Sequence, residues 1–134
     1  MRIRCLATTG NHLPAAYLAA PLGLTNRTEF DLTVGKEYVV YAIDTIDDRT
    51  YFFICADSFT NYPMRVPAPL FETIDGTRSK HWKTVTRANG LQETAIDAWI
   101  SDPYFHEKLV EGNAAAVALF ASHKAAMDAE ALER

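Results

Sequence analysis

The sequence predicts an α+β domain in which a small, strongly curved antiparallel sheet comes first and two or three helices pack on it afterwards. Three observations carry this reading. Residues 37–56 are dense in Val, Tyr, Phe and Ile on either side of a polar reversal at Asp47-Asp48-Arg49, the pattern of a β-hairpin. Both strands of that hairpin are apolar on both faces near their middles, so neither face is open to water. Past Gly90 the apolar spacing becomes that of a helix.

With 134 residues, 49% of them hydrophobic and 22% charged, the chain has the size and composition of one globular domain. Residues 1–134 are expected to form a single unit, mainly β over 1–87 and mainly helical over 91–132. Arg2 to Ala7 alternates charged and apolar residues, as a half-buried strand does. Pro14 suits the first position of a short helical turn over Ala15 to Ala19, which Pro21 would stop. Phe30 to Val34 reads as a short alternating strand, with Gly35 providing the reversal into Glu37 to Ile46. Tyr51 to Ala56 returns. Beyond it Pro63, Pro67 and Pro69 confine pairing to sheet edges or irregular chain. Phe71 to Ile74 and Trp82 to Val85 each suit a further short strand, and turn signals every eight to twelve residues point to a small barrel or tightly bent sheet.

In the C-terminal part, Ile96, Trp99 and Ile100 fall on one helical face, and Asp102-Pro103 ends that helix and starts the next. Tyr104 to Glu111 follows with Phe105 and Leu109 inward and Gly112 as its stop. Asn113 then caps a helix to about Leu132 whose inward face is Ala116, Leu119, Phe120, His123 and Met127.

The opening MRIRCLATTG holds too short an apolar run for a secretory signal, and no stretch reaches the roughly 18 apolar residues of a membrane span. A cytoplasmic protein without a membrane partner is therefore expected. Cys5 and Cys55 lie in apolar runs and read as reduced thiols behaving as small hydrophobes. The four histidines, His12, His81, His106 and His123, form no i, i+4 pair, and the cysteines form no CxxC. Asp102 and His106 stand four apart, but Asp102 reads as a cap. Asp44, Asp47 and Asp48 lack the Gly and Glu of a calcium loop. No glycine belongs to a phosphate-binding motif. These observations predict no catalytic residues, no metal and no cofactor.

Charge is unevenly placed. Residues 1–87 carry ten Lys/Arg and nine Asp/Glu, whereas 88–134 carry three and eight. An acidic C-terminal part repels phosphates and attracts basic partners, which lowers the expectation of nucleic-acid binding. The rival signal is the basic run Arg78, Lys80, His81, Lys83 and Arg87 around Trp82, because small barrels bind nucleic acid with such surfaces. Its simpler reading is an alternating strand with Trp82 inward and the charges in water.

The segments LTVGKEYVVYAI (32–43), YFFICADS (51–58) and VPAPLFETID (66–75), with Trp82 after them, resemble an arrangement found in small bacterial immunity and uncharacterised proteins that form a partly open SH3-like barrel. The resemblance covers residues 30–85. It implies turn and core roles for Gly35, Tyr38, Phe71 and Trp82 and toxin neutralisation as a role, and it transfers no functional residue. The resulting expectation is a non-catalytic protein that binds a cognate protein toxin. Its contact residues would be the hairpin-tip Asp47 and Asp48 and the helical carboxylates Glu93, Asp97, Glu107 and Glu111, with Tyr62 and Tyr104 as the aromatic centre. The alternative is a nucleic-acid-binding or regulatory barrel using Arg78 to Arg87.

Overall fold

The computed structural model describes residues 1–18 and 23–133. Its strands are β1 (Arg2–Cys5), β2 (Glu37–Val39), β3 (Ala42–Ile46), β4 (Arg49–Ala56), β5 (Phe59–Pro67), β6 (Phe71–Asp75), β7 (Trp82–Thr86) and β8 (Gln92–Ile96). Its helices are α1 (Ala15–Leu18), α2 (Asp97–Ser101), α3 (Phe105–Val110) and α4 (Ala114–Leu132). The fold is α+β. The one curved sheet expected from the sequence resolves into two antiparallel sheets, ordered β2-β1-β6 and β5-β4-β3-β8-β7.

The two-faced hydrophobicity of the hairpin now has its cause. The five-stranded sheet is a middle layer, and each of its faces covers a different core. Phe52, Ile54 and Ile43 face the three-stranded sheet, where they join Ile3, Cys5, Tyr38, Leu70 and Phe71. Phe53 and Ala42 face the helices, where they join Trp99, Phe105, Leu109, Phe120 and Met127. The expected single strand Glu37 to Ile46 bends at Val40 and Tyr41 and crosses from one sheet to the other. Val40 enters the first core and Tyr41 the second.

Three local expectations need correction. Phe30 to Val34 is not a strand: its polar groups instead fasten the loop to Asp57, whose carboxylate accepts hydrogen bonds from Thr33 Oγ1, from Lys36 Nζ at 2.7 Å and from Tyr38 Oη at 2.7 Å. The helical part begins at Asp97 rather than at residue 91, because Gln92–Ile96 is the strand β8, paired between β3 and β7. Leu119, expected inward, is 41% exposed, while Glu130 on the same helix is buried. The proposed stop of the first helical turn at Pro21 lies outside the described residues.

The proline-bearing strand β5 does lie at a sheet edge, as expected. The Pro63 carbonyl accepts from His106 Nε2 at 2.8 Å and so points away from β4. Pro63 and Pro67 share the two-residue phase of the strand, so both missing N–H groups fall on the free edge, where they cost no ladder bond and discourage another strand from pairing. Gly112, at φ 76°, takes the left-handed conformation that closes α3, and Asn113 Oδ1 then caps α4 by accepting from Ala116 N–H at 3.0 Å.

Candidate partner-binding surface

Several exposed apolar side chains lie on or around α3. This helix is anchored by Phe105 and Leu109, both buried, and by His106, which stacks on Trp99 at 5.4 Å and meets Tyr62 edge-on at 6.2 Å. Three cavities border it. The largest, about 570 Å³, is an apolar groove between β5 and the α3–α4 corner, lined by Phe59, Tyr62, Val110, Val117 and Phe120 with Lys124 at one end. A second of about 500 Å³ lies between Arg87, Glu93, Trp99 and His106, and a third of about 220 Å³ lies between Phe105, Lys108 and Leu119. Phe59 (42% exposed), Tyr104 (61%) and Val110 (47%) present large apolar groups to water around this helix. By helical spacing Tyr104, Glu107 and Glu111 form one outward ridge beside Val110.

The nominated residues therefore divide. Tyr62, Tyr104, Glu107 and Glu111 are brought together on or against α3. Glu107 and Glu111 are exposed and have no ion-pair partner among the described residues. Glu93 is not on a helix but on β8, half-buried and bound by Arg87 Nε at 3.0 Å. Asp97 is paired with Lys83 at 2.8 Å, and this bond holds its carboxyl below the usual range. Asp47 and Asp48 are exposed at the β3–β4 turn, which lies at the opposite end of β4 from the groove, roughly 25 Å away along an eight-residue strand.

The basic run is not a bare cationic surface. Lys83 is committed to Asp97, and Arg87 donates to Glu93 and also to the Ile100 carbonyl at 2.8 Å. Arg78 donates to Thr94 Oγ1, and the Lys80 backbone N–H donates to the buried Glu130. Trp82 is half-buried and packs against both cores.

Behind the surface, titratable groups with displaced pKa values are also held by partners. Burial raises Asp44 to about 6 against the pull of Arg65 at 3.5 Å, and Glu93, directly opposite on β8, pushes the same way as burial. Burial also raises the Tyr41 hydroxyl far above the ordinary phenol range; it donates to Asp128 at 2.6 Å, and Asp128 pairs with Lys124 at the end of the groove. Cys55, a free thiol beside this network, is pushed up to about 11 by burial and stays protonated at neutral pH. No three His, Cys, Asp or Glu side chains converge among the described residues.

Sequence reasoning missed Phe59, Val110 and Lys124 as surface-forming residues. The exposure of Phe59 had a signal, since it begins a proline-bearing edge strand; the groove itself had none, because it joins β5 to helices some fifty residues further along. No known family, curated protein or solved structure matches this chain at a significant level. Among the described residues no helix is long and apolar enough to cross a membrane.

Proposed function

We propose that this chain is a non-catalytic binding protein that neutralises a cognate bacterial toxin in the cytoplasm by direct contact, and that the contact is made around α3. The observation that carries this reading is the coincidence of exposed aromatic and aliphatic groups with uncommitted carboxylates. Phe59, Tyr62 and Val110 line the groove, Tyr104 is exposed at the start of α3, and Glu107 and Glu111 stand on the same helix without an ion-pair partner among the described residues. Apolar anchors in a pocket with a charged rim are what a standard protein interface uses. The negative rim selects a basic partner and speeds its arrival, as would suit a toxin that acts on nucleic acid. Strand addition at β5 is disfavoured by its outward prolines, so the partner would insert side chains into the groove.

The test is co-expression with the toxin-like product of the adjacent upstream gene. The expected result is survival together with a complex that copurifies, both lost in a Tyr62→Ala, Tyr104→Ala double variant that still folds by circular dichroism. Survival without a complex would point to an indirect mode of protection, and no protection would remove the proposal.

A further inference from the structure

We infer that His81 and His123 form a two-point site for a borderline divalent transition-metal ion, such as Zn²⁺ or Cu²⁺, that would tie the start of β7 to α4. The two residues belong to different elements far apart in sequence, yet their rings lie 5.8 Å apart, centroid to centroid, at 71°. Metal–nitrogen bonds of about 2.0–2.1 Å, with a ring radius of about 1.1 Å, place two imidazoles that share one ion roughly 5–6 Å apart. The observed spacing falls in that interval. Both side chains are half-exposed, so an ion can reach them, and neither ring nitrogen has a hydrogen-bond partner among the described residues.

The pair is also held in place. The His81 backbone N–H donates to Ser79 Oγ at 3.1 Å, and Ser79 Oγ donates in turn to Glu130 Oε1 at 2.6 Å. Glu130 lies two turns beyond His123 on α4 and also accepts from the Lys80 N–H at 3.1 Å. The loop that carries His81 is thereby fixed to the helix that carries His123 before any ion arrives, which lowers the ordering cost of binding. Neutral imidazole is the ligand such ions favour, and the remaining coordination positions would be filled by water. The other two histidines do not compete as a pair: His106 Nε2 is already bonded to the Pro63 carbonyl, and His12 is exposed in a short 3-10 helix with no second histidine beside it among the described residues. This site is independent of the α3 surface.

Zn²⁺ added to metal-free protein at pH 7.5 should bind saturably at one ion per chain. At a hundredfold excess over its dissociation constant it should raise the melting temperature by roughly 5–10 °C. His81→Gln and His123→Gln should each abolish the rise. With Cu²⁺ as the probe, electron paramagnetic resonance of the unaltered protein should show two equatorial nitrogens. One nitrogen, no saturable binding, or a thermal shift that survives both substitutions would overturn the inference; because the resonance measurement uses the unaltered chain, it holds even if a variant folds poorly.

Discussion

The two faces of the five-stranded sheet bury similar side chains and yet build different surroundings. Toward the three-stranded sheet, Ile3, Ile54 and Leu70 are fully buried, and the polar groups at the margin satisfy one another. Asp57 is the example: burial would raise its pKa, but hydrogen bonds from Lys36, Thr33 and Tyr38 outweigh that and hold it at about 2. Toward the helices the core is just as apolar, but its margin is open. Cavities, exposed aromatics and the raised carboxyl of Asp44 all lie on this side or border it, and none of the cavities described above is lined by a residue before Phe59. One face closes the domain; the other meets the outside. Short helices explain the difference, because α2 and α3 span only five and six residues and cannot cover the sheet as a continuous layer.

The largest expected effect tests whether the two cores are one folding unit. Phe120 is 2% exposed and packs edge-on against both Tyr41 and Trp99. Phe120→Ala should cost about 3–5 kcal/mol, as truncating a large buried aromatic does. β3 and β4 contribute to both cores, so the loss should appear as one transition shifted to lower denaturant, with tryptophan fluorescence and far-ultraviolet circular dichroism coinciding. Separate transitions by the two probes would mean that the helical layer melts alone. Trp82→Ala comes next. The ring touches both cores but is only half-buried, so about 2–3 kcal/mol is expected, below the full core value.

The two carboxyls sharpen the comparison through pH, and their signs are opposite. Asp57 titrates lower in the folded protein than its usual 3.8, so its stabilisation is complete above pH 4 and is lost as pH falls toward 2. Asp44 titrates higher in the folded protein, so the protonated form is favoured by folding, and stability declines as pH rises from about 4 to 6 and is flat above. Asp57→Asn should cost about 1–2 kcal/mol at pH 7 and flatten the acid limb. Asp44→Asn should remove a slope worth on the order of 1 kcal/mol between pH 4 and 6. Chemical denaturation repeated across pH 2–8 measures both, and a decline that persists in Asp44→Asn would assign it to another group.

What the sequence revealed of this architecture follows the same division. Period-two alternation with β-branched and aromatic residues exposed the hairpin and β6 and β7, because those signals are local. β8 was misread because Thr94, Ala95 and Ile96 are buried in succession, and Ile96 shares the i, i+3, i+4 spacing with Trp99 and Ile100. A strand covered on both faces has no alternation to read. Phe30 to Val34 has the alternation but spends its polar groups on Asp57, a tertiary contact that no local pattern announces. At the candidate surface, Tyr104, Glu107 and Glu111 could be found because a short helix between breakers must expose one side. Ion pairing could not be found: only the register of β7 against β8 and the approach of α2 to β7 show that Glu93 and Asp97 are already occupied.

The smallest stability effect belongs to the surface itself and separates its carboxylates from one another. Glu107→Lys breaks no side-chain hydrogen bond or ion pair among the described residues and should change stability by less than about 0.5 kcal/mol, as should Asp48→Lys at the hairpin tip. Their effects on a basic partner should differ. Glu107 stands beside the groove, so reversing it places a like charge at the rim of the proposed contact; association should slow several-fold and lose part of its salt dependence, while dissociation changes less. Asp48 lies roughly 25 Å from the groove, well beyond the screening length of about 8 Å at physiological salt, and its reversal should leave the association rate nearly unchanged. Stopped-flow association with the coexpressed partner at two salt concentrations distinguishes them. If the Asp48 variant slowed as much as the Glu107 variant, the negative field of the whole chain rather than the α3 ridge would be steering the encounter, and the contact would have to be sought at the other end of β4.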